Sequence, residues 1–182
     1  MIKWLSMESN TMMKKSLILA VLAGSALVST AHAASGTLNF TGTVSADACT
    51  VSPTTKSQNI DLGRVATSDF SAIGATSGSR QISIDLTACP AAITAAAVNF
   101  TGPTHADNRK LLALSGASTA KNLGIALFED DGVTLIPIGS TSKSQNLTTT
   151  ATLTYFAKYQ STAATVTDGT AEAAADFTIV YN

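Results

Sequence analysis

Cys49 and Cys89 are the residues of this chain whose chemistry is most distinctive. Two thiols, each beside a strand-like run, can pair as one disulfide, occupy two positions of a metal site, or supply a nucleophile. A metal site needs more ligands than two thiols and the distant His105 can readily bring together. A catalytic thiol is poorly suited to the oxidising route of an exported chain, so one disulfide is the simplest reading. His105 itself, in GPTHADN, has no nucleophile-elbow motif around it and reads as a surface loop histidine rather than a triad member. Glu129, Asp130 and Asp131 set three carboxylates side by side, but Gly132 follows and no further spaced acids do, so they read as a solvated turn and not a calcium loop. The residue types therefore point to no catalytic centre, no metal and no cofactor.

Export is read from the front of the chain. Lys14 and Lys15 precede an uncharged run from Leu17 to Val28, and Ala31-His32-Ala33 has the small-x-small pattern of a signal peptidase site. Residues 1–33 are thus expected to be a cleaved signal peptide with an upstream extension, in which Met12 or Met13 is an alternative initiator. The apolar run is about a dozen residues, short of the ~20 needed to cross a bilayer, so no membrane span is expected. The 149 residues from Ala34 to Asn182 suit one domain with a proper core. They keep eight basic and eleven acidic residues, a net charge of −3, which offers nothing to nucleic acid or an anionic membrane surface.

These residues must be positioned by strands. In Gly36–Cys49, GTLNFTGTVSADAC, Leu38, Phe40 and Val44 point one way and Asn39, Thr41 and Thr43 the other, a period of two. Gly42 stands where the next bulky apolar residue belongs, so a surface facing this strand would have one spot without room for a side chain. Chain fronts are loose unless something ties them down, which raises the question of what pairs with this one. Ile60, Leu62 and Val65 mark a further strand with Gly63 inside it, and Asp69–Ser79 reads as a loop. Arg80–Cys89 alternates cleanly, with Ile82, Ile84 and Leu86 inward. Strands are also expected at Ala97–Thr101 and Leu111–Leu114, and Asp130-Asp131-Gly132 folds a hairpin from Leu123, Ile125 and Leu127 back into Val133–Ile138. Asn146–Gln160 reads as one long strand or a bent pair, and Ser161–Glu172 as a surface loop. The chain closes on a strand in which Phe177, Ile179 and Tyr181 share a face. Short strands between turn signals, with no sustained helical period, make an all-β antiparallel sandwich.

Taken in order, GTLNFTGTVSADAC, LGRV at 62–65, ISIDLTAC at 82–89 and the terminal FTIVYN resemble a major pilin of chaperone-usher fimbriae, similar to the type 1 fimbrial subunit. The resemblance covers essentially the whole chain from Ala34. It implies an incomplete immunoglobulin-like β-sandwich, completed by donor-strand exchange with another copy. It divides the chain into the leader (1–33), a donor-strand extension (34–48) and a pilin domain (49–182). It assigns Leu38, Phe40, Gly42 and Val44 to the donor strand, with Gly42 as the donor glycine, and Cys49 and Cys89 to the family's disulfide. Phe177, Ile179, Tyr181 and the carboxylate of Asn182 match the C-terminal strand that a periplasmic chaperone grasps. The implied partners are copies of the chain in a head-to-tail filament, that chaperone, an outer-membrane usher, and tip or adaptor subunits, and the implied location is the cell surface, reached through the periplasm.

Other readings stand beside this one. On pattern alone Leu38–Val44 is an ordinary first strand pairing within its own sheet, and Phe177–Tyr181 an ordinary last core strand. A minor adaptor subunit would have a similar size, and a carbohydrate-binding adhesin module could use Tyr155 and Tyr159 as a sugar-stacking platform in place of Trp, which the stretch from Ala34 onward lacks.

Overall fold

The structure, a computed structural model, describes residues 37–42 and 48–181. Residues 37–42 belong to a separate unit from the sandwich and carry no regular secondary structure. The sandwich runs through β1 (Thr50–Val51), α1 (Pro53–Lys56), β2 (Thr76–Thr87), β3 (Ala95–Thr101), β4 (Leu123–Phe128), β5 (Leu135–Ile136), β6 (Gln145–Asn146), β7 (Ala151–Ser161) and β8 (Asp176–Tyr181). Five strands form one sheet in the order β1-β2-β7-β4-β5, and three form the other in the order β6-β3-β8. Every neighbour is antiparallel.

The period-two apolar pattern explains why these segments lie where they do. In β2, Ile84 and Leu86 are fully enclosed, and in β7 Leu153, Tyr155, Ala157 and Tyr159 all turn inward. Tyr155 is the largest wholly buried side chain; Phe100 of β3 meets its ring edge-on at 5.2 Å, linking the two sheets. β4 is buried on both faces: Leu123, Ile125 and Leu127 join the main core, while Ala126 and Phe128 form a smaller cluster with Leu111 outside the sheet. Cys49 and Cys89 are joined by a disulfide that staples the start of β1 to the end of β2, beside the pair Thr50–Thr87.

Several expectations are corrected. Ile60, Leu62 and Val65 lie on extended chain that belongs to no strand, because its backbone makes no backbone–backbone bond between Ser57 and Val65 among the described residues. Asp69–Ser79 is not all loop: β2 begins at Thr76, and its register shifts between Ser77 and Arg80. Gly78 sits in that irregularity at φ +73°, where a Cβ would stand 2.9 Å from the carbonyl oxygen of Leu62; the bulge lets the extended chain approach the sheet. Leu111–Leu114 forms no strand, only isolated bridges through Leu112, and the return arm of the hairpin shortens to Leu135–Ile136. Asn146–Gln160 is a bent pair: β6 ends in one sheet and β7 begins in the other.

Two polar expectations also change. His105 lies in a loop but is largely covered, its side chain 16% exposed and 3.9 Å from Asp107. Glu129 is not solvated. It is buried at the end of β4, where its Oε1 accepts the Lys143 N–H at 2.8 Å and its Oε2 has no partner. Desolvation dominates the environment of this carboxyl and raises its pKa above the ordinary 4.5, reinforced by the neighbouring Asp130 and Asp131 and opposed by Lys143. Asp130 and Asp131 do lie exposed in the turn.

Candidate functional site

β8 pairs with β3 along its whole length, Asp176 opposite Thr101 through Tyr181 opposite Ala96. No strand among the described residues pairs with its other edge, so a row of backbone donors and acceptors is left open. Its side chains alternate: Phe177, Ile179 and Tyr181 are half-buried and pack on the core, whereas Asp176, Thr178 and Val180 are exposed. At the end of β8 the Tyr181 hydroxyl donates to the Cys49 carbonyl at 3.3 Å, tying this edge to the disulfide.

Opposite β8, across a gap, runs the extended chain of residues 57–62. Two side chains bind it to β2: Gln58 Nε2 donates to the Ser83 carbonyl at 2.8 Å, and Arg80 Nε donates to the Asp61 carbonyl at 2.9 Å. These bonds hold the chain in place and take up one of its backbone groups, the Asp61 carbonyl. Between this wall and β8 lies a groove of about 680 Å³. Its floor comes from both sheets and includes Ile82, Phe100, Leu112, Ile125, Leu127 and Ala157. An apolar trough beside one unpaired strand edge is the complement of an extended peptide: main-chain bonds along β8 would supply strength, and alternate side chains entering the trough would fix register.

The sequence-derived site residues divide between the two units and the residues outside them. Phe177, Ile179 and Tyr181 lie on the strand bordering the groove. Leu38 and Phe40 are 81% and 89% exposed, and a Cβ on Gly42 would meet nothing within 4 Å. Val44, Asn182 and the leader 1–33 lie outside the described residues. Tyr155 and Tyr159 are buried in the core and offer no sugar-stacking face. The floor residues were not singled out from sequence, since their alternation is that of any core strand. Among the described residues no group of three or more His, Cys, Asp or Glu could hold a metal ion, and no helix is long and apolar enough to cross a membrane.

An all-β, immunoglobulin-like sandwich with one edge strand unpaired above an apolar trough is the architecture of a structural pilin. The Fimbrial protein family matches residues 38–182, and the chain belongs to that family, one of structural subunits of surface pili rather than of enzymes. The chain is 38% identical over 152 residues to the fimbrial subunit type 1 of Salmonella typhimurium, covering 80% of this chain and 82% of that one. It is similar to a type I fimbria protein of Burkholderia pseudomallei whose crystal structure is known, at 34% identity and a TM-score of 0.58, covering 73% of this chain and 88% of the other. A subunit from the structure of a chaperone-usher pilus matches with a TM-score of 0.63 at 26% identity, over 82% of this chain and 96% of that chain.

Proposed function

We propose that this pilin polymerises without covalent bonds by donating residues 34–48 of one copy to the groove of the next. The observation that carries the reading is the open edge of β8 above the trough, in a chain whose front also carries the period-two series Leu38, Phe40, Val44. In this arrangement Leu38, Phe40 and Val44 turn into the trough, Gly42 passes over a shallow place, and Asn39, Thr41 and Thr43 face out. A strand given to one neighbour and a groove filled by another make a contact between unlike surfaces, which does not close and so yields a filament. Residues 49–182 form the repeated domain of the filament, whose role is to support cell adhesion.

Until it is filled, such a groove is an aggregation hazard. A periplasmic chaperone that lends its own strand along Phe177, Ile179 and Tyr181, and holds the Asn182 carboxylate with basic side chains, answers that hazard. Cleavage after Ala33, passage through an outer-membrane usher, and assembly with tip or adaptor subunits complete the route. The test is deletion of residues 34–44 in the chain expressed with its chaperone. The truncated subunit is expected to remain chaperone-bound and to form no fibres by electron microscopy; fibres from the truncated chain would overturn the reading.

A further inference from the structure

The groove does not end where β8 begins. A second cavity of about 790 Å³ continues it, and on four stretches of chain residues one or two positions apart line first one space and then the other. On β4, Ile125 lines the groove and Leu123 the cavity; on β7, Ala157 and then Tyr159; on one wall, Leu62 and then Gly63; on the other, Ala173 and then Ala171. Phe70, Leu123 and Tyr159 give the cavity an apolar floor, each nearly enclosed. Its charged residues are Asp61, Asp168 and Arg64. Arg64 is exposed, and its side chain makes no hydrogen bond or ion pair among the described residues.

We propose that this cavity seats the link between successive copies: Ser45-Ala46-Asp47-Ala48 of the donating copy lies in it, with Asp47 paired to Arg64 of the accepting one. The inference rests on the donor-strand reading and adds a second contact to it. Direction comes from the position of Cys49. Each copy's front segment leaves its domain there, beside the Tyr181 end of β8. A donor running parallel to β8 would end at that pole and bring its own domain to the place from which the acceptor's segment departs. An antiparallel donor ends at Asp176, beside the second cavity, and leaves the Cys49 pole free for the following copy. Reach gives the same answer. Four residues, and so five Cα steps, lie between Val44 and Cys49, at most ~17 Å of chain, so the donor's domain must stand at the mouth of the cavity. Composition fits as well: the link is small side chains plus one charge, Asp47 is the only charged residue of the extension 34–48, and Arg64 is the cavity's one cation. The contact fixes the angle between neighbouring domains in addition to holding the strand.

Fibres assembled from the full chain carrying Arg64→Lys and treated with a carbodiimide test this. The expected product is an amide between Asp47 of one copy and the new lysine of its neighbour, found as a cross-linked peptide pair by mass spectrometry and lost when Asp47→Asn is added. In a second measurement, Asp47→Lys or Arg64→Asp alone is expected to speed fibre dissociation in guanidinium by about two- to fivefold, with the double exchange restoring the original rate. Fibres that assemble normally yet give no such cross-link, or singles that dissociate like wild type, overturn the link proposal while leaving the donor strand standing. Assembly by a chain without residues 34–44 overturns both.

Discussion

The two long seams of the sandwich enclose the same apolar interior and are finished in opposite ways. At the β6 seam, residues 139–147 run along β3 and stitch it: Gly139 N–H donates to Phe100 O, Ser142 N–H to Val98 O, and Leu147 N–H to Thr94 O, all within 2.7 to 2.8 Å. The stitching reaches the other sheet, since Ser142 Oγ takes the Val98 N–H at 2.9 Å and meets the Tyr155 hydroxyl at 3.0 Å, while Lys143 N–H binds Glu129. At the β8 seam nothing equivalent exists among the described residues; the wall at 57–62 is held back by side chains, and the backbone of β8 faces an open trough. The lesson is that the two seams differ among the described residues: the β6 seam is closed by the chain's own backbone, and the β8 seam is left open.

Perturbations of the two seams should therefore differ in kind. The largest effect on the isolated subunit is expected from reducing Cys49–Cys89, whose partners lie 40 residues apart in sequence. The loss of constraint on the unfolded chain is worth about 4 kcal/mol and should appear as a lower guanidinium midpoint in the presence of a thiol reductant. Next is Ser142→Ala at the sealed seam, which strands the buried Val98 N–H and the Tyr155 hydroxyl and should cost about 2 kcal/mol in the same measurement. Ile179→Ala at the open seam is expected to cost about 1 kcal/mol in the unassembled subunit, because the side chain is only half-buried there, and more in the fibre, where a covering strand completes its burial. Equal losses in both states would erase the distinction between the seams.

Smaller effects are expected from titration. The pKa of Glu129 is raised in the folded state by desolvation, so protonation favours the fold. Its contribution is fully present below the ordinary value of 4.5 and is lost as pH rises through the higher folded value; urea midpoints of Glu129→Gln should lack this decline. Asp131 behaves oppositely. Its carboxylate accepts from the Thr134 hydroxyl and from the N–H groups of Thr134 and Val133, which lower its pKa to about 2. Its contribution persists above the ordinary 3.8 and vanishes only as pH falls through about 2; by NMR, Thr134→Val should move that midpoint back up.

How much of this was legible in the sequence follows from what a period of two reports. Alternation says which way side chains face, and Ile82, Ile84 and Leu86 or Phe177, Ile179 and Tyr181 faced as expected. It does not say whether a backbone finds a partner, so Ile60 and Leu62 look like a strand and are instead an unpaired wall. Leu111–Leu114 reads as a strand, yet Leu111 covers the outside of β4, a contact made only in three dimensions. Glu129 looked like a turn acid beside two others, and its burial depends on the backbone of Lys143, fourteen residues away. The second cavity was invisible for the same reason, being assembled from four stretches that no local motif joins.

The bond from the Tyr181 hydroxyl to the Cys49 carbonyl, next to the disulfide, sets the mechanics of a filament built in this way. Tension along such a fibre would enter each subunit at Cys49 and leave through the guest strand beside β8. Cys49 is held at the Tyr181 pole of β8 by Tyr181 and the disulfide, whereas the guest strand leaves at the Asp176 pole, so a pull acts on opposite ends and loads the guest strand lengthwise, in shear, where all its backbone bonds resist together. Peeling, which breaks bonds one at a time, would first require Cys49 to come away from both Cys89 and Tyr181.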